Sequence, residues 1–287
     1  MEPTNQAPQT TQTANSSGQP VAKSLRVLAL EQPDNIKRIV HVVGLPFDLA
    51  ESRLDNLIGY DDERKEIANA VRTGQSIFLH GRPGRGKSHA AAGAMWFWLR
   101  RNLPLVEPLQ PGVTQNSPAV DFAQARLPIW TRFSKVLREI QSTYKAESSA
   151  STDGVVARYA KAPFVVFDDL GTEKGSDWAL QVMNEIVEER SGFMRPTVYT
   201  SNFDLVEIGD KIDHRIRSRC GRCCRVELKG TDYRLNGRRE PSKLMQELLE
   251  DERRAVAESI KPKFRMLGEK KWTLDENGTF VEKPSDY

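Results

Sequence analysis

The stretch Phe78-Leu79-His80-Gly81-Arg82-Pro83-Gly84-Arg85-Gly86-Lys87-Ser88 contains the pattern G-x-x-x-x-G-K-[ST] in full. Its flanks suit it. The apolar run from Ser76 to Leu79 reads as a buried strand, and the Ala-rich segment from Lys87 through Leu99 reads as a helix. Strand, glycine loop and helix in that order make a phosphate-binding loop. Glycines let the backbone fold back so that its N–H groups face phosphate oxygens, and the helix N-terminus adds the positive end of its dipole. The expected nucleotide-binding set is Gly81, Gly84, Arg85, Gly86, Lys87, Ser88 and His89. Lys87 is expected to reach the β- and γ-phosphates and the Ser88 hydroxyl to ligate Mg²⁺. The pattern predicts binding of ATP or GTP.

About eighty residues further on, Phe164-Val165-Val166-Phe167 runs into Asp168-Asp169-Leu170-Gly171. Four apolar residues followed by two acids form a Walker B pattern, in which a buried strand delivers carboxylates to the edge of the sheet where phosphates sit. Asp168 is expected to hold Mg²⁺, and Asp169 to polarise the attacking water as general base. An apolar strand ending in two acids is weak alone and gains weight from the phosphate loop before it. A further strand, Thr197 to Thr200, ends in Ser201-Asn202. In P-loop ATPases with an extra strand between the Walker motifs, a polar residue at this tip contacts the γ-phosphate or the lytic water. Asn202 fits that role, although Asn also begins turns. The segment Ile212-Asp213-His214-Arg215-Ile216-Arg217-Ser218-Arg219 follows. On a helix Arg215 and Arg219 share a face. An arginine beside a neighbour's γ-phosphate stabilises transition-state charge, worth roughly 10³–10⁵ in rate where it has been measured. Such a finger acts in trans and requires self-assembly. Arg219 is the favoured finger and Arg215 its partner or a second sensor.

From Leu54 to Leu228 helix and strand alternate. Strands are expected at Ser76–His80, Leu127–Trp130, Phe164–Asp168, Thr197–Thr200 and Cys224–Leu228. Helices are expected at Asp61–Val71, Lys87–Arg101, Phe133 to about Tyr144, and Trp178–Glu189. This predicts an α/β domain with a mostly parallel five-stranded sheet covered by helices on both faces. Residues 1–20, nearly all small or polar, bury too little apolar surface to offset their ordering entropy and read as a disordered tail. Residues 21–50 read as a short docking segment, strand or helix, and 51–236 as the nucleotide-binding domain. Residues 103–126 and Glu147–Gly154 read as loops. The remainder, 237–287, reads as a helix with Leu244, Leu248 and Leu249 on one side, then a hairpin signalled by Asn277-Gly278.

The chain has 287 residues and a net charge of +3, unevenly spread. Residues 211–240 hold ten Lys/Arg against four Asp/Glu, a net of +6. Such a block suits an anionic partner, nucleic acid or a neighbour's phosphates, or is a solvated basic face. The three cysteines, Cys220, Cys223 and Cys224, are odd in number and clustered, which argues against a disulfide framework and for a reducing compartment. The histidines show no metal-ligand spacing, and the cysteines read as small apolar fillers. No signal peptide pattern and no apolar run of membrane-spanning length is visible, so the expectation is cytoplasmic, with no membrane partner.

Taken in order, these stations resemble the AAA+ family of P-loop (ASCE) ATPases, and within it the DnaC/DnaI-type helicase loaders and the IstB-type transposition helper ATPases. The strings that carry the likeness are Gly86-Lys87-Ser88-His89-Ala90, Trp130-Thr131-Arg132-Phe133, and Phe167 through Lys174 with Trp178 after it. Pro196-Thr197-Val198-Tyr199-Thr200-Ser201-Asn202, Arg215-Ile216-Arg217-Ser218-Arg219 and Lys229-Gly230-Thr231-Asp232-Tyr233-Arg234 complete the series. The match covers roughly residues 50–236. The resemblance implies an ATP- and Mg²⁺-dependent homo-oligomer, a ring or spiral, that grips DNA and acts on another protein. It points to Lys145, Arg158 and Lys161 as DNA contacts, which would be electrostatic and salt-sensitive.

Two readings share every active-site residue. One is an ATPase that loads a replicative helicase on single-stranded DNA. The other is a transposition helper that assembles on double-stranded DNA and recruits a transposase. A nucleotide-gated scaffold with little turnover is a third, against which Asp168, Asp169, Asn202 and the two arginines argue. No N-K-x-D string specifies guanine, and no lid segment of a small-molecule kinase is found.

Overall fold

A computed structural model describes residues 29–103, 120, 122, 125–143, 151–171, 177–233, 242–260, 266–267, 270–274 and 280–282. The tail at 1–20, Lys145, most of 103–126 and the Asn277-Gly278 turn lie outside the described residues. The chain divides into two compact units, Met1–Arg239 and Glu240–Tyr287.

In the first unit β1 (Ile77–His80), β2 (Ile129–Arg132), β3 (Val165–Leu170), β4 (Thr197–Ser201) and β5 (Cys224–Glu227) form one sheet in the order β2-β3-β4-β1-β5. Every pairing in it is parallel. All five strands therefore present their C-terminal ends to the same edge. Among the described residues the helices of this unit include α1 (Pro33–Val43), α2 (Asp61–Thr73), α3 (Lys87–Asn102), α4 (Phe133–Ser142), α5 (Thr152–Lys161), α6 (Asp177–Gly192), α7 (Leu205–Lys211) and α8 (His214–Cys220). Helix α3 packs on one side of the sheet with α2 against it, and α4, α5, α6 and α8 cover the other. Side chains alternate between these sides with the strand period of two. Val165, Phe167 and Tyr199 join the core cluster beneath α4–α6. Val166, Asp168, Val198 and Thr200 consequently fall on the α3 side.

Three local features differ from the sequence expectation, each for an identifiable reason. Strand β2 begins two residues later than Leu127, just past Pro128, which has no N–H for a ladder. The Ser/Thr/Gly run at 147–154 is not all loop: Ser151 caps α5, its Oγ accepting from the Gly154 N–H at 3.0 Å. Helix α7 was not anticipated, yet Asp204 and Glu207 form a capping box at its start. Residues 33–43 settle as a helix because Ile36, Ile39, Val40 and Val43 recur on one face and are buried, with Pro33 opening it and Gly44 closing it in the left-handed conformation.

The second unit contains α9 (Lys243–Ile260) and a three-stranded antiparallel sheet of β6 (Met266–Leu267), β7 (Lys270–Leu274) and β8 (Phe280–Glu282).

One buried cation ties the α5–α6 side together. Arg190 is fully buried. Its Nε donates to Thr197 Oγ1 at 2.8 Å, Nη1 to the carbonyls of Tyr159 and Ala162 at 2.7 Å each, and Nη2 to that of Pro196 at 2.7 Å. Burial pulls its pKa down to about 10, so it stays charged at neutral pH. The guanidinium joins the end of α5, the end of α6 and the entry to β4. Arg190→Met is expected to leave these acceptors unpaired and to cost about 3 kcal/mol or more, read as a lower urea midpoint at unchanged m-value.

Candidate nucleotide-binding site

The loop after β1 is held by backbone geometry. Gly81 has φ 142°, and a Cβ on it would lie 2.5 Å from the Leu228 carbonyl oxygen. Gly86 has φ 84° and starts α3, whose N-terminus carries no side-chain cap. The leading N–H groups of that helix are thus left for an anion. Lys87 is buried at the cavity floor, and its Nζ donates to the carbonyls of Gly81 at 2.7 Å and Arg82 at 2.9 Å.

Ser88 Oγ on α3 donates to the carboxylate of Asp168 on β3, 3.0 Å from Oδ1. Thr200 Oγ1 on β4 donates to the same Oδ1 at 2.6 Å. Burial, with the neighbouring charge of Asp169, pushes the Asp168 carboxyl up, while the hydrogen bonds from Thr200 and Ser88 and, least, the charge of Arg132 pull it back toward the ionised form. Strict alternation would turn Asp169 to the opposite side of the sheet. Instead the β3–β4 register shifts between Phe167 and Leu170, and Asp169 takes φ 63°. Its N–H donates to Thr200 Oγ1 at 2.9 Å, and its Oδ1 accepts from Asn202 Nδ2 at 3.3 Å. This bulge brings two consecutive carboxylates to one cavity, and Asp tolerates the left-handed conformation that it requires.

A strap from the end of β5 closes over the loop. The Leu228 N–H donates to the His80 carbonyl at 2.8 Å, and the Tyr233 N–H to that of Gly84 at 2.9 Å. Tyr60 OH accepts from the Gly230 N–H at 2.8 Å and donates to the Arg85 carbonyl at 3.1 Å. The Tyr233 hydroxyl donates to the Ile58 carbonyl. His89 Nε2 lies 2.6 Å from Asn56 Oδ1 and 3.1 Å from the Arg53 carbonyl, joining α3 to the turn before α2.

These groups line a cavity of about 780 Å³ bounded by Leu57, Ile58, the loop from Pro83 to His89, Arg132, Asp168, Asp169, Thr200, Asn202 and Tyr233. Its size suits a small-molecule ligand. One end is a helix N-terminus with a lysine, fitting phosphate. The Ser88 hydroxyl and the Asp168 carboxylate are a hard oxygen pair, fitting Mg²⁺, which takes few protein ligands beside water and phosphate. Among the described residues no cluster of three or more His, Cys, Asp or Glu offers a closed metal site.

Gly81, Gly84, Arg85, Gly86, Lys87, Ser88, His89, Asp168, Asp169 and Asn202 thus gather at one place. Arg215 and Arg219 do not line this cavity. Arg219 Nη2 donates to Glu188 Oε1 on α6 at 2.6 Å, and Arg215 borders a separate hollow with Glu185, Glu188 and Glu189. Arg158 is paired with Glu139, and Lys161 is exposed. Cys220 is buried, and Cys223 and Cys224 are partly so. No helix among the described residues is long and apolar enough to cross a membrane. Sequence reasoning passed over Thr200, Tyr60 and Arg132 as site residues. Thr200 was within reach, since alternation along β4 puts it on the side of Asp168. Tyr60 was not, since the contact that matters lies 170 residues away at Gly230.

The glycines give a graded test. An alanine at Gly81 would press on the backbone carbonyl of Leu228 in the strap, whereas at Gly84 it would meet the end of a side chain, the Asp232 carboxylate. Both also force an L-residue to positive φ, which costs roughly 1–2 kcal/mol. Gly81→Ala is therefore expected to lower the unfolding midpoint more than Gly84→Ala, as thermal denaturation of the two variants will read.

Comparison with known proteins gave no matching family model and no matching curated protein. Among solved structures, the crystal structure of DnaI matches with a TM-score of 0.50 at 20% identity, over 66% of this chain and 94% of that one. The crystal structure of a DNA replication initiation factor matches with a TM-score of 0.50 at 14% identity, over 74% of this chain and 66% of that one. At such identities the likeness is one of fold. The chain carries the α/β fold of AAA+ domains, a five-stranded parallel sheet in the order β2-β3-β4-β1-β5.

Proposed function

We propose that this protein is a Mg²⁺-dependent ATP hydrolase that works as a homo-oligomer, a ring or spiral, on single-stranded DNA together with a replicative helicase. The observation that carries the nucleotide reading is the convergence of Ser88, Asp168, Asp169 and Asn202 beside an uncapped helix N-terminus. In this reading Lys87 leaves the loop carbonyls for the β- and γ-phosphates. Ser88 and Asp168 hold Mg²⁺, which supplies neutralising charge to the phosphates when bound. Asp169 takes the proton of the attacking water, and Asn202 orients that carboxylate. Placement of Arg219 outside the cavity of its own chain supports a finger acting on a neighbour. The assignment of residues 51–236 to the ATPase domain belongs to the same proposal, as does a helicase contact through 21–50 or 237–287.

The motif series and basic block support DNA association. The hydrolysis rate alone, with single-stranded DNA and with duplex DNA at low salt tests it. Stimulation by single strands is expected. Stimulation by duplex alone would replace helicase loading with the transposition-helper reading, and turnover in no condition would leave a nucleotide-gated scaffold.

Lys87→Ala is expected to abolish ATP binding, and unchanged affinity would remove the phosphate-loop assignment. Arg219→Ala is expected to bind ATP normally but not hydrolyse it. Asp169→Asn is the natural partner variant, because Asn tolerates the φ of 63°. Mixing the two inactive variants is expected to restore turnover, since one contributes the finger and the other the carboxylate. No recovery on mixing would count against a finger in trans.

A further inference from the structure

Arg132 is a cation in the cavity that the proposed mechanism does not use. It ends β2, one residue before α4 begins. In the β2–β3 ladder its Cα partner is Asp168, and the partner of Trp130 is Val166. Register partners in a parallel pair put their side chains on the same side, so Arg132 belongs with Asp168 on the α3 side. It lines the same cavity as Lys87, Ser88, Asp169, Thr200 and Asn202. Its charge acts on Asp168. The side chain is exposed, and among the described residues no hydrogen bond or ion pair engages its guanidinium.

Position then says which part of a nucleotide it would meet. The phosphate loop follows β1, and the sheet runs outward from there through β4 and β3 to β2. Neighbouring strands lie about 4.8 Å apart. Lys87 therefore stands at one end of the polar floor and Arg132 at the other, with Asp168 and Thr200 between them. A nucleotide whose first phosphates sit on the loop extends its terminal phosphate toward β3. Of the phosphates, the terminal one thereby lies nearest a long side chain from β2, and ADP lacks it. An arginine fork suits phosphate oxygens better than any other side chain.

We propose that Arg132 is a phosphate-contacting residue acting in cis: its guanidinium binds the terminal phosphate of ATP from the side opposite Lys87 and makes the site discriminate ATP from ADP. This rests on the nucleotide-binding reading above. It is distinct from the fingers Arg215 and Arg219, because it serves the cavity of its own chain and needs no assembly.

The test is equilibrium binding of MgATP and of MgADP to the full chain by calorimetry, for wild type, Arg132→Ala, Arg132→Lys and Lys87→Ala. Arg132→Ala is expected to weaken MgATP about tenfold or more, the range for a charge-assisted hydrogen bond, and to leave MgADP within about twofold. Arg132→Lys is expected to recover part of the loss. An equal loss for both nucleotides, or a loss for neither, overturns the role of Arg132 while the phosphate loop stands, provided wild type binds both and Lys87→Ala binds neither. Failure of the wild type to bind either nucleotide overturns both readings.

Discussion

The Ser88 hydroxyl and the Asp168 carboxylate meet at 3.0 Å although eighty residues separate them, and the rest of the site depends on the constraint that joins them. That constraint is the parallel sheet. Because β1, β3 and β4 run the same way, the loop after β1, the acids ending β3 and the polar tip of β4 all arrive at one edge. Antiparallel pairing of any of the three would send one of these groups to the far edge. A parallel sheet buried on both sides suits apolar strands, and the four-residue apolar runs here are of that kind.

Within that frame the pleat decides which side chains can cooperate. Asp168 and Thr200 share the α3 side with the helix that bears Ser88, while Phe167 and Tyr199 stack on the other side as part of the core. The pleat alone would allow only one of the two acids into the cavity. The bulge at Asp169 resolves this, and Thr200 holds both halves of it, donating to Asp168 and accepting from the Asp169 N–H. One hydroxyl thereby sets the geometry of two carboxylates. Alternation along β4 places Thr200 on the side of Asp168, but nothing about its residue type marks it as the holder of both.

The strap from Leu228 to Tyr233 fastens the loop from above. Tyr60 is its pivot, since a single phenol both accepts from the strap and donates to the loop. Close packing there explains why the loop needs glycine at Gly81, where no Cβ fits beneath the Leu228 carbonyl. The buried guanidinium of Arg190 does comparable work on the opposite side of the sheet. There it satisfies backbone carbonyls where α5, α6 and β4 come together, acceptors that would otherwise be lost to the interior.

Much of this molecule was legible in the chain. The phosphate loop announces itself because its chemistry is local: the turn, the helix start and the lysine lie within eleven residues. The order of the five strands was legible too, from apolar periodicity, with that of the helices α2, α3, α4 and α6, and so was the placement of Asp168, Asp169 and Asn202 at strand tips, because strand ends are where acids and amides stop an apolar run. Errors fell where local signals compete, as at Pro128, which shifted β2, and at Ser151, whose cap begins a helix inside an apparent loop. Tertiary structure alone decided the bulge that turns Asp169 inward, the clasp of Thr200, the strap on Tyr60 and the place of Arg132 beside Asp168. Each is a contact between segments far apart in sequence, fixed by strand register and packing, and no property of the single residues could specify it in advance.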